Sequence, residues 1–98
     1  MQDEAFEWDD EKAAENFRRH DVTFEQAKKA FSDPFGIELI DDREDYGEER
    51  LILIAMADGK LLTVAYTDRK DRHRLISARH ATRHEEDDYF TQNDAGRD

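Results

Sequence analysis

RLILIAMADGKLLTVAYT, residues 50–67, decides the fold. Its first half, Arg50 to Ala57, is apolar at almost every position, the pattern of a central strand covered on both faces. Asp58-Gly59 is a strong hairpin signal, because both turn positions need positive φ. Lys60 to Thr67 is the return strand, with Leu62, Val64 and Tyr66 facing one way and Leu61, Thr63 and Ala65 the other. Upstream, Ile37 to Ile40 reads as a short strand, separated from the hairpin by a charged loop, Asp41 to Glu49, that lacks apolar periodicity and is expected to be mobile. Downstream, Asp68-Arg69-Lys70-Asp71 is a second turn and Arg72 to Ala78 a last strand. The centre of the chain is therefore expected to be a four-stranded antiparallel meander.

Helices flank the meander. Asp9 to His20 reads as the first, with Ala13, Ala14 and Phe17 on its apolar face and Phe6 and Trp8 leading in. Asp9, Asp10 and Glu11 fall in its first turn and Arg18, Arg19 and His20 in its last, so both ends complement the helix dipole. The second opens on the capping box Thr23-Phe24-Glu25-Gln26 and buries Phe24, Ala27, Ala30 and Phe31. Asp33-Pro34 stops it, and Gly36 frees the chain to turn. Thr82-x-x-Glu85 is another capping box, opening a helix expected to end near Phe90. The fold class is α+β: two N-terminal helices, the sheet, then a C-terminal helix, with the helices on one face and the other face partly open. Residues 1–90 are expected to form a single domain and residues 91–98 a disordered tail.

Composition narrows the function. The 98 residues carry 15 basic and 26 acidic side chains, a net charge of −11, and no cysteine. Disulfide frameworks, thiolate zinc sites and cysteine nucleophiles are thereby excluded. No hydrophobic run approaches the roughly 20 residues of a membrane span, and the acidic N-terminus is unlike a secretory signal. The expected location is cytoplasmic, without membrane association. One window breaks the acidic pattern. Residues 67–84 hold Arg69, Lys70, Arg72, Arg74, Arg79 and Arg83 against only Asp68 and Asp71. A basic island in an acidic chain points to anions, above all phosphates.

Two runs of sequence belong together. The first is Phe6-Glu7-Trp8-Asp9, then Lys12-Ala13, Asn16 and His20, closing with Val22-Thr23-Phe24-Glu25-Gln26-Ala27. The second is Glu48-Glu49-Arg50, the Asp58-Gly59 hairpin, Tyr66-Thr67, Arg74-Leu75-Ile76-Ser77-Ala78-Arg79, and Ala81-Thr82-Arg83 with Glu85 and Tyr89. In content, order and spacing, from about residue 5 to residue 90, they resemble the BrnT family of RelE-like ribonuclease toxins of bacterial type II toxin–antitoxin systems. The resemblance implies RNA cleavage that inhibits translation. It also implies neutralisation by a ribbon-helix-helix antitoxin, with operator DNA reached only indirectly through that antitoxin. Three positions depart from the family pattern: Asp21 stands where glycine is usual, Asp68 where glutamate is common, and Glu86, Asp87 and Asp88 where arginines are common. The last departure opens an alternative: a catalytically weakened module that binds the antitoxin and tunes operator binding.

Cleaving RNA without a metal requires a base for the 2′-hydroxyl proton, cations for the phosphate and a proton for the leaving oxygen. Arginine suits the second task, because its planar fork binds two phosphate oxygens and stays charged. Arg50, Arg74 and Arg79 are the candidate catalytic clamps, and Arg69, Lys70, Arg72 and Arg83 the candidate RNA-binding cations. In a regular strand, however, Arg74 and Arg79 fall on opposite faces. The base is open among Glu49, Asp68, Glu85, His73 and His80, with Asp68 carried as the catalytic candidate. Tyr46 and Tyr66 are candidate base-stacking rings. His80 and His84 lie i, i+4, but Thr82 starts the helix between them, so no metal site is expected. No cofactor is implied.

Overall fold

The computed structural model describes residues 1–94. Along the chain run β1 (Phe6–Glu7), α1 (Asp10–His20), α2 (Phe24–Ala30), β2 (Ile37–Asp41), β3 (Arg50–Ala57), β4 (Lys60–Arg69), β5 (Arg72–His80) and α3 (Arg83–Asp94). Asp58 and Gly59 take φ of 53° and 78°, so the β3–β4 hairpin closes as its sequence directs. Strands β2 to β5 form the expected antiparallel meander. The sheet nevertheless has five strands, ordered β1-β5-β4-β3-β2, and is mixed, because β1 runs parallel to β5. Two residues carry no readable periodicity, so the extra strand escaped the pattern. Its cause is local. Asp3 accepts hydrogen bonds from the backbone N–H groups of Ala5 and Phe6, and Phe6 packs edge-on to Phe31 at 5.0 Å.

The helices also differ from expectation, dividing between the two faces. On one, α1 and α2 cover Leu51, Leu53, Ala55, Leu62, Val64, Tyr66, Leu75 and Ala78, with Trp8, Val22, Phe24, Ala27 and Ala30 contributed from the helical side. On the other, α3 lays Tyr89 on Ile37 and Ile54, with Ile52, Met56 and Leu61 alongside. The β3 strand is thus covered on both sides, as its continuous apolar run requires.

Asp9 is the N-cap of α1 rather than part of its first turn; its carboxylate accepts from the N–H groups of Glu11 and Lys12. Asp21 closes the helix in the left-handed conformation, φ 57°, where glycine is unstrained and aspartate tolerated. Phe17, expected in the core, is 48 % exposed, and Asn16 is the buried residue of α1. The reason lies in β5. Its partner β1 ends opposite Arg74, leaving the strand edge bare further on. The Asn16 side chain fills that gap: its amide nitrogen donates to the Ala78 carbonyl at 2.8 Å, and its oxygen accepts from the Ala78 N–H at 3.0 Å.

Thr23 caps α2 as expected. Gly36 does not need a positive φ; a Cβ there would lie 3.1 Å from Leu53 Cδ1, so it permits close packing on β3. Thr82 and Glu85 form the reciprocal capping box at the head of α3. That helix continues past Phe90 to Asp94, where the Asn93 side-chain amide donates to the carbonyls of Tyr89 and Phe35. Residues 91–94 of the expected tail are therefore helical, and residues 95–98 lie outside the described part. Among the described residues no helix is long and apolar enough to cross a membrane.

Candidate functional site

A bulge decides where the arginines go. On β4, Ala65 faces Ser77 but Tyr66 faces Leu75, so Ile76 is an extra residue in β5. The insertion reverses the alternation of the strand. Arg74 then lies opposite Thr67 and Arg79 opposite Thr63, two β4 residues that point to the same face. Arg50 alternates with the buried Leu51 and joins them on the α3 face. The expectation that Arg74 and Arg79 diverge is thus overturned by one residue, although some four residues of β4, about 13 Å, still separate them.

Arg50, Arg69 and Arg74 line one cavity of about 170 Å³, together with Lys12, Glu48 and Asp9. The Arg50 guanidinium sits 4.0 Å from the centre of the Tyr46 ring, and the Tyr46 hydroxyl donates to Asp41 at 3.2 Å. Asp41 also holds Arg43 through a two-pronged ion pair, which keeps its carboxyl at about 2, well below the usual range. The loop from Asp41 to Glu49 is therefore organised by Asp41, Arg43 and Tyr46, and it presents Arg50. Arg50 Nε is buried without a hydrogen-bond partner among the described residues. A buried donor of that kind is costly unless something accepts from it.

The basic window is far less basic in space than in sequence. Arg69 pairs with Glu48 at 3.2 Å, Arg74 with Glu7 at 2.7 Å and Arg79 with Glu85 at 2.7 Å. Arg72 donates to the Asp3 carbonyl at 2.7 Å. Lys70 occupies the β4–β5 turn with φ 55°, exposed, and Arg83 is exposed at the start of α3.

Arg79 lies outside the Arg50 cavity and ties α3 to the sheet. Its guanidinium grips both oxygens of Glu85, and the same carboxylate accepts from the Thr63 hydroxyl and the Thr82 N–H. Burial alone raises the Glu85 carboxyl, but these donors outweigh it and hold it at about 2. Further along α3, the Tyr89 hydroxyl donates to Asp33 at 2.7 Å, and burial together with that bond pushes the phenol up to about 12.

Asp68 is on the α1 face, against His73 Nδ1, and not in the arginine cavity. His73 in turn stacks on Phe31 at 4.8 Å and packs against Phe6 and Tyr66. Glu49 contributes its carbonyl to the Thr67 hydroxyl, and His80 is exposed at the end of β5. Of the two candidate stacking rings, Tyr66 is 2 % exposed, closed in by the core, and Tyr46 is already covered by Arg50. Lys12 and Glu48 are the cavity residues that sequence reasoning left without a role. Lys12 carried a signal all the same: a cation in the first turn of a helix opposes the dipole and needs another reason to be there.

A family model described as the ribonuclease toxin BrnT of type II toxin–antitoxin systems matches residues 8–85. The chain belongs to the BrnT family. That match runs from Trp8 to Glu85, so it takes in the whole Arg50 cavity, the bulge and the Arg79–Glu85 pair. Type II membership carries with it an antitoxin partner, and the BrnT description is that of a ribonuclease. No curated protein matches this BrnT chain.

Proposed function

We propose that this chain is a metal-independent endoribonuclease toxin that inhibits translation, with the reacting phosphate held in the cavity of Arg50 and Arg74, and that a ribbon-helix-helix antitoxin neutralises it. The observation that carries this reading is the convergence of Arg50, Arg69, Arg74 and Lys12 on one cavity, with the buried Nε of Arg50 left without a hydrogen-bond partner among the described residues. A phosphate is the group that such a set of cations binds. Arg50 and Arg74 then stabilise the charge that builds on the phosphate during attack by the 2′-hydroxyl. Glu48 stands in the same cavity and is released to act as the base when RNA displaces it from Arg69. Asp9, the N-cap of α1, is a weak base, because the Lys12 and Glu11 N–H groups and the Lys12 charge hold its carboxyl below the ordinary value. Arg69, Lys70, Arg72 and Arg83 extend the attraction along the strand ends. Arg79 holds α3 in place and Asp68 orients His73, so both act at a distance from the cavity.

The test is cleavage of single-stranded RNA in excess chelator by the purified chain and by Arg50→Gln and Arg74→Gln. We expect shortening by the native chain and a loss of roughly a hundredfold or more in each variant. Intact RNA at high protein concentration defeats the reading, and cleavage abolished by chelator alone defeats its metal independence.

A second reading has its own support. Arg69, Arg74 and Arg79 are each neutralised by a carboxylate, and Glu86, Asp87 and Asp88 add further acid on α3. That is the charge pattern of a module that binds its antitoxin and tunes operator binding without cutting RNA. Expression without antitoxin separates the two: growth arrest with RNA loss favours the enzyme, and normal growth with folded protein favours the module.

A further inference from the structure

The arginine cavity is open on one side. Lys12 and Ile76 line it, and the same two residues line a second recess of about 260 Å³ that continues between α1 and β5 to Arg19, His20 and Ser77. The two recesses adjoin at Lys12 and at Ile76, the bulge residue. Arg50 and Arg74 stand on the α3 face of the sheet, whereas α1 packs on the other, so the two recesses together turn round the edge of β5 that Asn16 plugs.

The α1–β5 recess has the chemistry of a phosphate site. Lys12, Asn16 and His20 follow at i, i+4 and i+8, and Arg19 sits beside them, so all share the side of α1 that meets β5. Asn16 fixes that side by its two bonds to Ala78. The helix therefore holds Lys12 and Arg19 about 10 Å apart. Neither forms an ion pair among the described residues, unlike Arg69, Arg74 and Arg79. Among the described residues Glu15 is the one acid lining the recess, while Asp9 neighbours Lys12 on the side of the arginine cavity. The dipole accounts for Arg19 and His20 at the end of the helix but works against Lys12 at its start.

We propose that the α1–β5 recess is a second phosphate subsite, which takes the backbone of single-stranded RNA next to the linkage held by Arg50 and Arg74. This rests on the ribonuclease reading of the Arg50 cavity. A single strand follows a track that turns a strand edge, whereas a duplex is far too stiff. Ile76 and Ser77 at the turn give an apolar contact and a hydroxyl to a ribose or base passing over them.

The experiment is binding of 2′-O-methyl oligouridylates, which resist cleavage, as a dinucleotide and an octanucleotide over a salt series. Arg19→Glu should weaken the octamer about tenfold, reduce its salt slope by about one and leave the dinucleotide unchanged. Glu15→Gln should tighten the octamer alone. Octamer binding and slope unmoved by both variants, while Arg50→Gln weakens the dinucleotide, overturns the subsite and leaves the ribonuclease reading standing. Binding of neither oligonucleotide by the native chain overturns both.

Discussion

Single residues carry much of this fold's definition, and Asn16 most of all. It is 6 % exposed, and its amide binds the Val22 carbonyl and both backbone groups of Ala78. Replacement by alanine leaves those groups buried and unpaired. We expect Asn16→Ala to lose roughly 2–4 kcal/mol in denaturant unfolding; a change below about 0.5 kcal/mol, ordinary for a surface site, would mean that Asn16 does not hold the strand edge. The sequence contained Asn16 but not its task. Helical periodicity favoured the face of Ala13, Ala14 and Phe17, because apolar residues are what a core usually selects. A polar residue serving a strand edge follows no such rule. The same limit applies to Arg50: its position on β3 was legible, but its unpaired Nε and the Tyr46 ring beneath it depend on a loop with no periodic pattern.

Among the elements, β3, β4 and their turn were readable because the signal is local: an apolar run, Asp58-Gly59, and alternation. Both capping boxes were readable for the same reason. The bulge was not. An extra residue shows itself only in the pairing of two strands, and it set the faces of Arg74 and Arg79 against the simple alternation. Nor was the side taken by α3, a helix with one buried apolar residue, Tyr89, and several polar ties. Those ties make α3 sensitive to acid. The folded Glu85 value of about 2 lies below the ordinary 4.5, so its contribution is complete above about pH 4.5 and fades as pH falls toward 2. Asp33 works in the same direction: burial raises its carboxyl, but the Met56 N–H and the Tyr89 hydroxyl lower it further. The Tyr89 ring signals followed by NMR should therefore show α3 leaving the sheet over this range before the strands unfold. Glu85→Gln should loosen α3 already at neutral pH and shrink the acid dependence to the part owed to Asp33. Simultaneous loss of α3 and the sheet in both proteins would refute a separate release.

For the molecule as a whole, charge is the main term. A net charge of −11 on 98 residues opposes compaction, and salt screens it. Raising sodium chloride from about 10 to 150 mM, a range over which the Debye length falls from roughly 30 to 8 Å, should stabilise the fold. A gain of about 1 kcal/mol corresponds to roughly 4–8 °C in Tm for a chain of this size. RNA binding should move the opposite way and weaken with salt. A Tm that falls over the same range would mean that the ion pairs at Glu7, Glu48 and Glu85 outweigh the general repulsion. One more consequence follows from the amide of Asn16. A bare strand edge is a template on which a second copy of a chain stacks, the first step towards fibres and amorphous clumps. Beyond Arg74, β5 is guarded at Ala78 by a hydrogen-bonded plug that works at any pH or ionic strength. The opposite edge, β2, shows Leu39 and Ile40 to solvent, and charge at Glu38, Asp42 and Arg43 is what keeps copies apart there. One border of the sheet is thus guarded at Ala78 by hydrogen bonds and the other by charge alone, so acid or strong salt would join molecules through residues 37–41.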